Sequence, residues 1–270
     1  MSRPKVLLLD GDGVIWIDST PIPGAIESLN KIHDMGVRLV LVTNNSTKTR
    51  AQYLQFMHKL GLDRFSVDDI FSSGFATAHY LRKNGINTVY VSGSNALVEE
   101  LTQFGIKATT LSTHKVEDPV QAIVVAKSNN FCFNDLSMAI YLSKTYGCKL
   151  IGTNMDPNFP MSHGVLVCGS GAIIATFETA LDQKAVMIGK PNEPMFDTVL
   201  TSLGVSKDEV IMVGDRIITD INFASSQGAR SILVLSGIDT MEDVQNALEH
   251  EKPTYVFPSL VQVAEFFENM

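Results

Sequence analysis

The stretch Val6-Leu7-Leu8-Leu9-Asp10-Gly11-Asp12-Gly13-Val14 decides the architecture. A short apolar run halts at an acid and a glycine, the pattern of a strand buried on both faces, expected over residues 5–9. Acids at the carboxyl end of such a strand occupy the place where open α/β sheets bind their ligands. If the extended conformation persists, Asp10 and Asp12 project to the same side, and Gly11 and Gly13 let the backbone turn tightly beside them. The two carboxylates can then share one cation. On its own, Asp-Gly-Asp-Gly reads first as a polar turn, so neighbouring segments must decide.

Outward from this point strands and helices alternate. Helical spacing of Ala25, Ile26, Leu29 and Ile32 predicts a helix over 24–35, stopped by Gly36. A buried strand follows over 37–42, a helix over 46–60 closed by Gly61, and a strand at 70–71. The alternation continues with strands at 88–91, 122–125 and 148–152 and helices at 96–104 and 135–146. It resumes near the C-terminus with strands at 210–213, 231–235 and 255–257 and helices at 220–227 and 241–248. Such alternation implies a doubly wound parallel sheet of the Rossmann-like α/β class. These are too many strands for one ordinary sheet. The chemical groups fall before residue 50 and after residue 185, so the expected organisation is a core of residues 1–80 and 186–270 with an inserted α/β cap domain at 81–185.

The chain has 270 residues, 45% of them hydrophobic and 19% charged, enough for one substantial core or two unequal ones. No apolar run reaches the length of a membrane span, and no export signal is visible, so no membrane partner is expected. Cys132, Cys148 and Cys168 form no paired framework; they read as small core residues in a reducing compartment, the cytoplasm. The histidines, His163 among them, read as structural. A formal charge of −8 disfavours nucleic acid as a partner, because phosphate backbones are held by clustered Lys and Arg.

Three more polar clusters stand at expected strand ends or beside helix starts. Thr43-Asn44-Asn45-Ser46 joins a strand to a helix whose N-terminus offers amide donors to a phosphoryl oxygen; ordinary helix capping is the competing reading. Ile188-Gly189-Lys190-Pro191 places a lysine before a helix that the proline can begin, or simply a solvated lysine. Val213-Gly214-Asp215-Arg216, with Thr219 and Asp220, ends another apolar run in acids. Asp10 is not in a calcium loop, since Val14, Ile15 and Pro21 stand where ligands and the glycine belong, and Lys190 is not a Walker lysine. In one parallel sheet all four clusters open onto one crevice, and several carboxylates with few softer ligands suit magnesium.

Asp10-x-Asp12-Gly13, Thr43, Lys190 and Gly214-Asp215 with Asp220, in that order, resemble the four motifs of the haloacid dehalogenase superfamily of phosphatases. Pro23-Gly24, Thr43-Asn44-Asn45-Ser46, Gly152-Thr153-Asn154-x-Asp156, Gly169-Ser170-Gly171-Ala172 and Gly189-Lys190-Pro191 extend the likeness along nearly the whole chain, to the subfamily of nitrophenyl, phosphoglycolate and pyridoxal phosphatases. The resemblance implies that Asp10 attacks phosphorus, that Asp12 acts as general acid and base, and that Mg²⁺ is held by Asp10, Asp215 and the main-chain carbonyl of Asp12. It further implies that Thr43, Asn44, Asn45 and Lys190 hold the phosphoryl group, with backbone donors from Gly13 and Val14. The implied substrate is a small phosphorylated metabolite, and the implied assembly a homodimer through the cap. A phosphomutase and a catalytically silent cap-binding protein are the rival functions. Two departures stand out: Ile218 replaces the usual acid of the fourth motif, and Ala126-Lys127-Ser128 replaces a Gly-x-Asp in the cap. Asn154, Asp156 and a turn at 169–171 are candidate cap contacts.

Overall fold

The computed structural model describes residues 3–160 and 166–270; His163 lies outside them. The chain forms two compact units, Met1–Thr43 with Ala51–Phe71 and Lys190–Met270, and Asn44–Arg50 with Ser72–Gly189.

In the first unit a six-stranded sheet has the order Tyr255–Phe257, Arg230–Val234, Val210–Gly214, Val6–Leu9, Arg38–Thr43, Ile70–Ser72. The pairings from Tyr255–Phe257 through Arg38–Thr43 are all parallel. The first three strands in the chain step one way from Val6–Leu9 and the last three step the other way, which is the doubly wound order. The direction reverses between Val6–Leu9 and Val210–Gly214, where Leu9 is in register with Val213. Their carboxyl ends, Asp10 and Asp215, therefore flank the switch point of the sheet. Leu7, Leu9, Leu41, Ile211 and Ile232 form one core with the helices Ala25–Asp34 and Leu260–Glu268. Both faces of the central strands are covered, which explains their uninterrupted apolar runs.

Between the first strand and the first helix stands a small antiparallel hairpin, Trp16–Ile17 with Thr20–Pro21, that sequence periodicity does not reveal. Its two turn residues, Asp18 and Ser19, both have positive φ (48° and 70°), the backbone of a two-residue hairpin turn that matches strand twist.

The second unit carries a five-stranded parallel sheet of its own, in the order Val186–Met187, Lys149–Gly152, Ala122–Val125, Thr88–Ser92, Lys107–Thr109. Its core is built around Tyr90, Ile123, Leu142, Leu150 and Phe177. The expected boundary after residue 80 falls inside the helix Ser73–Lys83, all of which belongs to this unit, and the chain leaves the unit after Gly189 rather than 185. A helix cannot be divided without breaking its own hydrogen-bond ladder, so the boundary moves to its start.

Three local expectations are corrected. The helix expected over 46–60 is Arg50–Lys59. Asn45 Oδ1 accepts from both the N–H (2.9 Å) and the hydroxyl (2.7 Å) of Thr47, a side-chain turn that competes with helix at its own start. The turn expected at 169–171 is the first turn of the helix Ser170–Leu181. Of the cysteines only Cys148 is buried, bonding to the carbonyls of Val120 and Leu142; Cys132 and Cys168 are exposed. Among the described residues no helix is long and apolar enough to cross a membrane.

Candidate active site

The site at the switch point is built on Lys190. Its side chain is 2% exposed, and its ammonium donates to Asp10 Oδ1 (2.6 Å), Asp220 Oδ1 (2.7 Å) and the Val42 carbonyl (2.8 Å). All three ammonium hydrogens are thereby used, and the cation lies against the ends of two neighbouring strands. Burial disfavours its charge, but Asp10 and Asp220 outweigh burial, and its pKa is raised. A solvated surface lysine is excluded.

Carboxylate oxygens of Asp10, Asp215 and Asp220 all lie within 4.8 Å of one another. Burial pushes the pKa of Asp10 well above the ordinary carboxylate value; Lys190 opposes this, and Asp220 and Asp215 add to it. Asp215 is raised to about 7, again by burial first and then by Asp220, against the opposing N–H of Ile238 and the charges of Lys190 and Arg216. Three acids facing one ammonium leave an excess of negative charge that a cation would relieve. Hard oxygen donors, two of them almost fully buried, fit Mg²⁺.

The backbone that presents these acids is tightly specified. Asp215 accepts the Ile238 N–H through Oδ2 (2.9 Å), and its carbonyl accepts from Asp239 N–H (3.0 Å). Asp220 is delivered by one wide, π-helical turn, Ile217–Ile221, and its Oδ2 accepts from Arg216 N–H (3.1 Å). Such turns recur at functional sites. Ile218, where an acid was expected by resemblance, points to solvent at 60% exposure. Gly13 has φ +79°, and a Cβ there would overlap the Asp215 carboxylate. Glycine is thus required twice over, by conformation and by space.

Asp12 stands apart from the carboxylate cluster. It is exposed, and its Oδ1 accepts from the Trp16 indole (3.1 Å). Trp16 is held in turn by an edge-on contact with Phe56, with ring centres 5.0 Å apart. The hairpin thus steers Asp12, while its implied metal contact is through the main-chain carbonyl alone.

Thr43 is buried at the end of its strand and shares a hydrogen bond with the hydroxyl of Tyr53, whose pKa is raised by burial and by the charges of Asp12 and Asp10. Asn44 directs its side-chain amide to Asp156 (3.1 Å). Asn45 is the turn builder described above. Of the backbone donors expected by resemblance, Gly13 N–H bonds to Trp16 O (2.8 Å) and Val14 N–H to Gly11 O (3.4 Å). Both bonds lie within the loop of residues 11–16, and the one from Gly13 reaches the first strand of the hairpin. Nor does a helix N-terminus follow Thr43, since the helix begins at Arg50.

Sequence reading missed Tyr53, Trp16, Ser236 and Asp239. Ser236 donates to the Gly13 carbonyl (2.8 Å), and Asp239 Oδ2 accepts the Ile217 N–H (2.6 Å). Tyr53 was visible only as one apolar position of a helix, four residues before the buried Met57. Nothing local marks the others.

Residues 7–107 match the haloacid dehalogenase-like hydrolase family, and residues 187–263 match a second haloacid dehalogenase hydrolase-like family. The chain is 34% identical to human (Homo sapiens) glycerol-3-phosphate phosphatase, over 91% of this chain and 83% of that protein. Among solved structures, p-nitrophenyl phosphatase from Archaeoglobus fulgidus superposes with a TM-score of 0.88 at 30% identity, covering 98% of this chain and 100% of the other. A glycerol phosphate phosphatase from Mycobacterium tuberculosis, in complex with magnesium, superposes with a TM-score of 0.86 at 27% identity, covering 96% of this chain and 76% of the other. With its doubly wound core and with phosphatases matching it along most of its length, the chain belongs to the haloacid dehalogenase-like hydrolases, as a phosphoric monoester hydrolase.

Proposed function

We propose that the protein is a Mg²⁺-dependent phosphatase that hydrolyses small phosphate monoesters through an aspartyl-phosphate on Asp10. The observation that carries this reading is the buried ammonium of Lys190 bridging Asp10 and Asp220, with Asp215 beside them at the switch point.

A carboxylate must approach a phosphate dianion, and at 4 Å two unit charges repel by about 4 kcal/mol at an effective dielectric of 20. Lys190 supplies one positive charge and holds one oxygen of Asp10, so the nucleophile is oriented before substrate arrives. Mg²⁺, held by the carboxylates of Asp10 and Asp215 and the carbonyl of Asp12, would neutralise further charge on the transferring group. Asp220 keeps Lys190 charged and in place.

In the first step an oxygen of Asp10 bonds to phosphorus as the ester P–O bond breaks, and the departing alkoxide takes the proton of Asp12. In the second, water attacks the phosphoryl group, Asp12 takes its proton, and the aspartyl bond breaks to release inorganic phosphate. Asp12 takes both roles as the second acid of the loop that follows the first strand, its carboxylate steered by the Trp16 indole. The Thr43 hydroxyl and the main-chain N–H of Asn44 are the proposed phosphoryl-oxygen donors.

The related phosphatases direct the first assays to nitrophenyl phosphate and glycerol phosphate. Phosphate release that requires Mg²⁺, stops on chelation and is absent in Asp10→Asn is the expected result; full turnover by Asp10→Asn would refute the covalent route.

A further inference from the structure

The polar tetrapeptide Thr43-Asn44-Asn45-Ser46 is divided by the fold. Thr43 closes a strand of the first unit, whereas Asn44–Arg50 clusters with the second. Within that second unit the segment is gripped along its length. The Asn44 carbonyl accepts from Ser73 Oγ (2.5 Å) and Asn154 Nδ2 (2.8 Å), and its side-chain amide donates to Asp156. The Ser46 carbonyl accepts from Ser94 Oγ (3.1 Å).

The far end is held by a buried charge. Glu100 is 2% exposed on the helix Asn95–Gln103, among Ala96, Leu97 and Leu101. One of its oxygens accepts the Arg50 main-chain N–H (3.1 Å) and the other the Arg50 Nε–H (3.0 Å). The Arg50 guanidinium also lies 4.0 Å over the ring of Phe75. A buried carboxylate is costly to desolvate, and an apolar residue would pack against the same helix at no such cost. What an apolar residue could not do is fix a backbone N–H and a guanidinium of one residue together.

We propose that Glu100 is a positioning residue: through Arg50 it fixes the segment Asn44–Ser46 in the geometry that receives the oxygens of a phosphate ester. This rests on the phosphatase reading above. It assigns the hold on this segment to a residue that no reading of the catalytic motifs picks out.

The test compares wild type with Glu100→Gln, which keeps shape and loses charge, and with Arg50→Lys, which keeps charge and the main-chain donor. In full-length protein with Mg²⁺ and nitrophenyl phosphate, Glu100→Gln raises KM roughly tenfold while kcat stays within about threefold, and Arg50→Lys moves KM in the same direction by less. Hydrogen exchange over residues 44–50 accelerates in both variants, and Tm falls in Glu100→Gln, which leaves the Arg50 guanidinium without its buried counter-charge. A KM within about twofold of wild type for both variants, or a lowered Tm with KM unchanged, overturns the proposal. Should one variant fail to fold, the other decides by the same criteria. If wild type releases no phosphate from any ester, the phosphatase reading fails on that result; exchange then still decides the anchoring, which acceleration upholds and unchanged exchange overturns.

Discussion

Lys190 lies 2.6 Å from Asp10 with its remaining hydrogens taken by Asp220 and the Val42 carbonyl, so the proposed nucleophile and its counter-charge form one unit. Lys190→Met removes the charge and leaves the three clustered carboxylates without a counter-charge. Turnover should fall by roughly a hundredfold to a thousandfold. Stability should fall too, by about 3–5 kcal/mol, as when one partner of a buried pair is removed. Asp10→Asn also ends turnover but removes a charge from a crowded site, so its denaturant midpoint should equal or exceed that of wild type. Steady-state kinetics and urea unfolding of the two variants separate the effects.

Tyr53→Phe deletes only the hydroxyl that bonds Thr43. The buried Thr43 hydroxyl loses a partner worth about 1 kcal/mol, which corresponds to a rise of about fivefold in KM if Thr43 holds a phosphoryl oxygen. Unchanged kinetics would remove Thr43 from the site.

The metal-free protein should grow more stable as pH falls from 8 towards 5. Asp215 titrates at about 7 in the folded chain against an ordinary 3.8, and Asp10 is shifted in the same direction. Between those values the native state holds protons that the unfolded chain has lost, so this stabilisation is complete below the ordinary value and disappears as pH rises through 7. His114, whose pKa burial lowers, acts in the opposite sense below its usual 6.5 and limits the gain at the acid end. Mg²⁺ competes with those protons, so it should raise Tm more at pH 8 than at pH 5. Thermal unfolding in chelator and in Mg²⁺ across this range checks both signs.

Asp239 receives the Ile217 N–H and donates its own N–H to the Asp215 carbonyl, bracing the loop that carries two of the three clustered acids. Asp239→Asn should weaken Mg²⁺ half-saturation by about tenfold, as loss of a supporting contact does at other metal centres. Mg²⁺ titrations followed by activity and by thermal shift would show it; identical titrations would reduce Asp239 to a loop contact.

The parts of this molecule that were legible beforehand share a local signature. Val6–Leu9, Arg38–Thr43 and Val210–Gly214 are apolar runs ended by polar groups, so both the strands and the acids at their ends could be read without tertiary information. Features that escaped lack such a run or take their meaning from a contact that periodicity does not show. The hairpin at Trp16 has strands of two residues, too short for any periodicity, and its bond to the Gly13 amide is invisible without it. The helix Ser73–Lys83 begins Ser-Gly and was lost, which displaced the expected unit boundary by most of its length. Tyr53 and Asp239 gain their meaning only from their bonds to Thr43 and Asp215, on other elements of the chain.

The allocation of Asn44–Arg50 to the inserted unit bears on recombination between relatives. A chimaera that exchanges only residues 72–189 would bring in a foreign helix opposite Arg50 and a foreign loop opposite Asn44, so a functional transplant must carry two separate pieces of chain. Gene fusions built on the single long insertion should therefore lose substrate affinity, and co-transferring seven further residues, 44–50, should restore it.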